Sequence, residues 1–91
     1  MEQSETSRRQ VKLAYRNGLH LTPIQLLVKS ISPFMADVRI HFDGRVASAK
    51  SAMDLMLLGA TFGAELMVEA NGSDADGAVA KVAEILGEAA D

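Results

Sequence analysis

The chain has 91 residues, a formal net charge of −3, no cysteine and 48% hydrophobic residues. This length suits one domain whose core is large enough to fold without disulfides or a structural metal. The lack of cysteine excludes disulfides, thiol chemistry and thiolate zinc sites, the acidic charge argues against nucleic-acid binding, and no apolar run is long enough to insert into a membrane.

The N-terminal residues are polar, and we predict a flexible tail over residues 1–10, followed by a single domain over residues 11–91. The tail lacks the apolar stretch of a signal peptide. Together with the absence of cysteine, this favours a cytoplasmic protein. Apolar residues then alternate from Val11 to Tyr15, which is typical of a half-buried strand.

A histidine, His20, stands immediately before the first predicted helix, which we expect over residues 23–32. Thr22 is a good N-cap, because its hydroxyl can accept a hydrogen bond from a first-turn amide. Pro23 suits the next position, where its missing N–H is not needed. Pro33 ends the helix, and apolar residues at spacings of i, i+3, i+4 and i+7 mark its buried face: Ile24, Leu27, Val28 and Ile31.

The position of His20 indicates a possible role in phosphoryl chemistry. A helix start carries unpaired N–H groups and the positive end of the helix dipole, so it favours anions. A histidine held there could carry a phosphoryl group while the helix amides receive the phosphate oxygens, and Gly18 would allow a tight turn into the site. From this loop alone, however, a histidine that only caps the helix or hydrogen-bonds nearby is the simpler interpretation.

A β-hairpin is predicted after the helix. Alternation indicates strands over residues 38–42 and 45–49. They are joined by Asp43-Gly44, which suits a type I′ turn because both central residues of that turn need positive φ. The second histidine, His41, is predicted to face solvent. Two histidines without a supporting pattern of acidic ligands do not make a metal site, so no metal is expected.

Three further elements are predicted. A short helix covers residues 51–58 and is ended by Gly59, and a strand covers residues 66–70. After a turn at Asn71-Gly72, a last helix begins with Ser73 or Asp74 as its cap. Ser51, with Asp54 three residues later, forms a variant of the capping box. The order β-α-β-β-α-β-α mixes hairpin and crossover connections. It predicts an α/β (α+β) open-faced sandwich, a four-stranded antiparallel sheet covered on one face by three helices.

Three separated blocks of sequence carry a resemblance to a known family. They are Asn17-Gly18-Leu19-His20 with Pro23, Asp43-Gly44-Arg45-Val46-Ala47-Ser48-Ala49-Lys50-Ser51 continued by Leu55-Met56-Leu57-Leu58-Gly59, and Ala70-Asn71-Gly72-Ser73-Asp74. From about Val11 to Leu86, the chain resembles the HPr family, the histidine-containing phosphocarriers of the bacterial phosphoenolpyruvate-dependent sugar phosphotransferase system. The open-faced sandwich of that family agrees with the predicted element order.

The resemblance implies that His20 accepts a phosphoryl group from an enzyme I-type kinase that uses phosphoenolpyruvate, and passes it to an acceptor protein of the same system. The family typically has an arginine before the proline, where its guanidinium helps to neutralise the phosphoryl group. Here that residue is Thr22, and Arg16 could partly substitute for the arginine. Gly18, Thr22 and Arg16 are thus the predicted phosphate-supporting residues. Such a protein is a stoichiometric carrier without turnover of its own, needs no cofactor and lacks a nucleotide-binding loop.

The resemblance also matches Ser51 to a regulatory serine, the target of a dedicated serine kinase and phosphorylase. A helix start tolerates such a phosphate structurally. Around His20 we predict an apolar docking patch, in which methionines can adapt to several partners, although periodicity alone does not separate docking residues from core. The patch consists of Leu19, Leu21, Ala47, Met53 and Met56.

Two alternatives to the relay stand beside it. The first is a regulatory interaction module controlled by phosphorylation of Ser51, with little relay through His20, which the loss of the arginine favours. The second, an RNA-binding α/β module, is disfavoured by the acidic charge and by the lack of aromatic residues on the strands. We expect a monomer without nucleic-acid partners and without membrane insertion.

Overall fold

The structure of the protein is a computed structural model, and it describes residues 5–87. Seven elements follow the predicted order: β1 (Thr6–Lys12), α1 (Leu21–Ile31), β2 (Asp37–Phe42), β3 (Arg45–Ser48), α2 (Ala52–Leu58), β4 (Glu65–Asn71) and α3 (Ala75–Gly87). The strands form one antiparallel sheet in the order β1-β4-β2-β3. The predicted α+β fold is confirmed. In the described region, no helix is long and apolar enough to cross a membrane.

The core lies between one face of the sheet and the apolar faces of the three helices. Successive side chains of a strand point to opposite faces, and in β2 and β4 buried residues accordingly alternate with more exposed ones. The largest fully buried side chains are Leu13, Ile24, Leu27, Ile31, Val38, Ile40, Leu55, Leu58, Leu66, Val68, Val82 and Leu86. These residues include Ile24, Leu27 and Ile31, three of the four residues predicted for the buried face of α1.

The first strand begins at Thr6, earlier than the predicted start at Val11. Residues 6–10 pair with β4, from Thr6 opposite Asn71 to Gln10 opposite Met67. The predicted flexible tail is therefore wrong for residues 6–10, while residues 1–4 lie outside the described part. The side chains of this edge strand are mostly exposed, so no hydrophobic alternation marks it. Backbone pairing with a distant strand forms it instead.

The hairpin turn between β2 and β3 and both ends of α2 follow the predictions. Asp43 and Gly44 have φ values of 52° and 78°, as the hairpin turn between β2 and β3 requires. Ser51 caps α2, because its Oγ accepts a hydrogen bond from Asp54 N at 3.1 Å. Gly59 ends α2 in the left-handed conformation, with φ 73°. These features depend on a few adjacent residues, and the sequence signals for them are correct.

The start of α3 also fixes the connection between α1 and β2. Asp74 precedes the helix, and its carbonyl accepts from Ala78 N at 3.0 Å. Its carboxylate accepts hydrogen bonds from the backbone N–H groups of Met35 and Ala36, each at 2.8 Å. These bonds, that from Met35 foremost, lower the pKa of Asp74. Asp74 is thus one of the two predicted cap residues, and its side chain binds a neighbouring loop.

Candidate functional site

His20 is the residue that starts α1. Its backbone is extended, with φ −112° and ψ −171°, and its carbonyl accepts the first helical hydrogen bond, from Ile24 N at 3.0 Å. The prediction that Thr22 is the N-cap is therefore wrong, because Thr22 and Pro23 already lie inside the first turn. That turn tolerates proline, since the first amides of a helix have no intrahelical acceptor.

Gly18 brings the histidine loop against the connection between α2 and β4. Its φ is +74°, and a Cβ atom there would lie only 2.7 Å from the carbonyl oxygen of Ala60. Both the backbone conformation and the available space therefore require glycine. Beside it, Leu19 N donates to the same carbonyl at 3.0 Å. The side chain of Leu19 is buried in the core, so its predicted place on the docking surface is wrong.

The imidazole of His20 is half-buried, and its ring contacts the ring of Tyr15. The ring centroids are 6.4 Å apart and the planes are inclined at 76°, an edge-to-face arrangement. The side chain makes no cap hydrogen bond to the helix. Neither ring nitrogen has a hydrogen-bond partner among residues 5–87. The ring nitrogens are thus available for chemistry, and Tyr15 is a neighbour that the sequence analysis did not single out.

The phosphate-supporting residues predicted around His20 differ in their positions. Thr22 is the second residue of α1 and is exposed, and Arg16 is exposed in the turn that precedes Gly18. The first turn of α1 contains no acidic residue. The N–H groups of Leu21 and Thr22 have no carbonyl within the helix to bond. An anion carried on the imidazole would therefore lie near two amide donors and the positive end of the helix dipole. No carboxylate of this turn would repel it.

Ser51 lies at the start of α2, where a carboxylate is already present. Asp54 N donates to Ser51 Oγ, and Asp54 Oδ2 accepts from Ser48 N at 3.2 Å. In a complete capping box the acidic side chain would return to the N–H of the cap residue. Here that N–H donates to Ser48 O at 3.1 Å instead. The start of α2 thus holds both the predicted modification site and a negative charge.

Only three of the five residues predicted for the docking patch are exposed in the structure. Leu21, Met53 and Met56 have exposed fractions of 55%, 71% and 58%, whereas Ala47 is 1% exposed and belongs to the core. Ala47 faces inward because it follows the alternation of β3, so its assignment to the docking surface is wrong. The prediction did not include the other large apolar side chains that are exposed, which are Leu26, Met35, Val46, Leu57 and Phe62.

Comparison with known proteins gives matches to one family model and to several solved structures. The family model described as "PTS HPr component phosphorylation site" matches residues 7–88. The structure is similar to that of the phosphocarrier protein HPr from Bacillus anthracis, with a TM-score of 0.85 and 32% identity over 89% of this chain and 96% of that chain.

Two other solved structures that are similar to this chain are dimers. The catabolite repression protein Crh from Bacillus subtilis, solved as a domain-swapped dimer, has 34% identity and a TM-score of 0.75 over 88% of this chain and 92% of that chain. An HPr dimer from Thermoanaerobacter tengcongensis has 28% identity and a TM-score of 0.69 over 82% of this chain and 86% of that chain.

Proposed function

The chain belongs to the HPr family of the phosphotransferase system, and we propose that it relays a phosphoryl group through His20. The donor is an enzyme I-type kinase that uses phosphoenolpyruvate, and the acceptor is another protein of the same system. Members of this family are carriers and not enzymes in themselves. We propose that this protein likewise works stoichiometrically, without independent turnover or a cofactor, in the cytoplasm.

The single observation that carries this proposal is the placement of the His20 imidazole at the start of α1. A neutral imidazole nitrogen is nucleophilic near pH 7, and neither nitrogen of this ring is hydrogen-bonded within residues 5–87. Its lone pair forms a bond to phosphorus, while the bond from phosphorus to the donor breaks and its electron pair leaves with the donor. The amides of the first turn then receive the phosphate oxygens.

The charge beside the phosphoryl group is the part of the site that differs from the family pattern. Arginine supplies a planar fork of donors and a permanent positive charge, whereas Thr22 supplies one hydroxyl. We propose that Arg16 or the partner protein provides the positive charge instead. Loss of one such donor in comparable sites costs about 3 kcal/mol of transition-state stabilisation, so transfer is expected to be slow if neither provides it.

We propose that the kinase docks on the apolar surface formed by Leu21, Met53, Met56 and Leu57. All four side chains are more than half exposed. Methionine side chains are flexible and polarisable, which suits a surface that binds a kinase and an acceptor in turn.

The second candidate function is regulation through phosphorylation of Ser51, with little relay through His20. Similarity to the catabolite repression protein Crh favours it. The local charge opposes it, because a phosphate on Ser51 would stand beside the carboxylate of Asp54 and repel it. For either function we propose a monomer, although relatives include dimers.

Phosphorylation with the enzyme I of the same organism tests the relay. The protein is incubated with this kinase and phosphoenolpyruvate, and the mass of the intact chain is measured before and after brief acid treatment. We expect one acid-labile phosphoryl group on the wild type and none on His20→Ala. The matched control His41→Ala removes the other histidine and should remain fully phosphorylated. An acid-labile phosphate on His20→Ala would contradict the proposal.

A further inference from the structure

We propose that Tyr15 is a positioning residue for phosphoryl transfer, because its ring holds the imidazole of His20 in a reactive orientation. This inference rests on the proposed function of His20 and adds a residue to it. Tyr15 lies in the irregular segment between β1 and α1, outside the three sequence blocks that resemble the HPr family.

The backbone of the loop sets the two rings side by side. Tyr15 O accepts a hydrogen bond from Gly18 N at 2.9 Å, and His20 N donates to Gly18 O at 3.0 Å. These two consecutive turns bring residues 15 and 20 together. The ring of Tyr15 is partly buried and packs against the core, so its position is anchored. His20 is the N-cap residue of α1, and its ring contacts the anchored ring of Tyr15.

The ring contact is specific in direction. The centroid separation of 6.4 Å and the angle of 76° correspond to an edge-to-face pair, in which the positive ring edge points to the negative face of its neighbour. Among residues 5–87, nothing hydrogen-bonds to the imidazole. The contact with Tyr15 is therefore the directional interaction that restricts rotation of the ring, while both nitrogens stay available to a donor.

Restricted rotation matters for the reaction because the attacking lone pair must point at phosphorus. In the step, one unprotonated ring nitrogen forms the bond to phosphorus, the bond between phosphorus and the donor breaks, and the other ring nitrogen keeps its proton. Reactant groups held near the attack geometry react faster than freely rotating ones. The stabilisation typical of an edge-to-face pair corresponds to roughly a threefold to tenfold effect on rate.

The experiment compares Tyr15→Phe, which keeps the ring, with Tyr15→Leu, which removes it. Phosphorylation of His20 by the cognate enzyme I is measured across a range of carrier concentrations. We expect Tyr15→Phe to behave as the wild type, and Tyr15→Leu to lower kcat by about threefold to tenfold with little change in KM. Phe34→Leu is the matched control, since Phe34 is another partly buried ring packed on the core, near the opposite end of α1.

Each other outcome would overturn the inference. Equal losses of kcat in Tyr15→Phe and Tyr15→Leu would assign the effect to the hydroxyl. A higher KM with unchanged kcat would assign it to docking of the kinase. Unchanged kinetics in Tyr15→Leu would show that the ring has no role in the transfer. A second readout on the wild type does not depend on the variants folding or on phosphorylation. Proton NMR should give ring-to-ring contacts between Tyr15 and His20 and a single side-chain rotamer of His20. Rotamer averaging would contradict the positioning role, whereas an ordered ring without phosphorylation would contradict only the proposed function.

Discussion

His20 and Thr22 both lie at the start of α1, but they differ in their contributions to the helix. The carbonyl of His20 begins the hydrogen bonding of α1, and its ring remains free of hydrogen bonds within the described chain. Thr22 follows inside the first turn and exposes its side chain to solvent. A longer cationic side chain at this position would therefore extend into solvent without disturbing the core, close to the proposed site of phosphorylation.

Thr22→Arg should accelerate phosphoryl transfer if the missing charge limits the rate. Arginine would add charge-assisted hydrogen bonds to the phosphoryl oxygens. We expect the transfer rate to rise about tenfold or more, because lowering the activation free energy by about 1.4 kcal/mol raises a rate tenfold. The observable is the rate of phosphoryl exchange with enzyme I. Thr22→Gln is the control, because it lengthens the side chain without charge. An unchanged or lower rate in Thr22→Arg would mean that Arg16 or the partner already supplies the charge.

At the scale of elements, α2 combines a polar start with an apolar exposed surface. Leu55 and Leu58 face the core, while Met53, Met56 and Leu57 face outward. The helix therefore has apolar residues on both sides. Its polar start is fixed by Ser51 and Asp54, so a change of charge at Ser51 acts directly beside the proposed docking surface.

Ser51→Asp should weaken binding to the docking domain of the kinase while the fold persists. A carboxylate can still accept from the helix amides, but it would place a charge at the rim of an apolar contact, at a cost of about 1–3 kcal/mol if left unpaired. Calorimetric titration measures the affinity, and circular dichroism measures the fold. Ser51→Asn is the control, since it caps without charge. Equal affinities for Ser51→Asp and wild type would locate the docking surface elsewhere.

The like-charge repulsion between residues 51 and 54 can be measured by adding a second substitution to Ser51→Asp. In Ser51→Asp the new carboxylate lies beside Asp54, and replacing Asp54 by asparagine removes this like-charge pair. The double variant should therefore unfold at a higher denaturant concentration than Ser51→Asp alone. If Asp54→Asn gives no recovery, the carboxylate of Asp54 does not oppose a negative charge at Ser51.

At the scale of the whole molecule, one glutamate connects three strands on the uncovered face of the sheet. Glu69 Oε1 on β4 lies 3.1 Å from His41 Nε2 on β2, and Glu69 Oε2 accepts a hydrogen bond from Arg8 Nη2 on β1, also at 3.1 Å. The hydrogen bond with His41 is the main cause that lowers the pKa of Glu69. The folded state thus favours the carboxylate, and its contribution to stability is present above the pKa of the unfolded chain and lost as the pH falls through the folded pKa.

Glu69→Gln should therefore flatten the acid side of the stability profile. The wild type should lose stability as the pH falls below about 4.5, the ordinary pKa of a glutamate. The variant should be less stable than the wild type at neutral pH and lose less on acidification. Urea unfolding midpoints at neutral and acidic pH measure both effects. Glu65→Gln, an exposed glutamate of the same strand, is the control. Parallel profiles for wild type and Glu69→Gln would show that ionisation of Glu69 does not contribute to the pH dependence of stability.

How far the sequence predicts this molecule depends on the range of the interactions involved. The hairpin at Asp43-Gly44 and the cap at Ser51 follow from adjacent residues, and both are correct. The early part of β1 depends on pairing with β4, far along the chain, so its own residues gave no signal. For α2, the spacing of Met53, Met56 and Leu57 indicates one helix face. A period does not tell whether that face is buried, and here the core lies on the other side.

The close approach of Gly18 to Ala60 has a consequence for how this protein can evolve. A side chain at Gly18 would collide with a backbone carbonyl, and a backbone atom cannot be replaced by mutation, so the fold itself selects for glycine. No hydrogen bond of the described chain depends on the ring of His20. A descendant that stopped carrying phosphate would be free to lose the histidine while keeping the glycine. Among divergent members of such a lineage, retention of Gly18 reports on folding, and only retention of His20 reports on the chemistry.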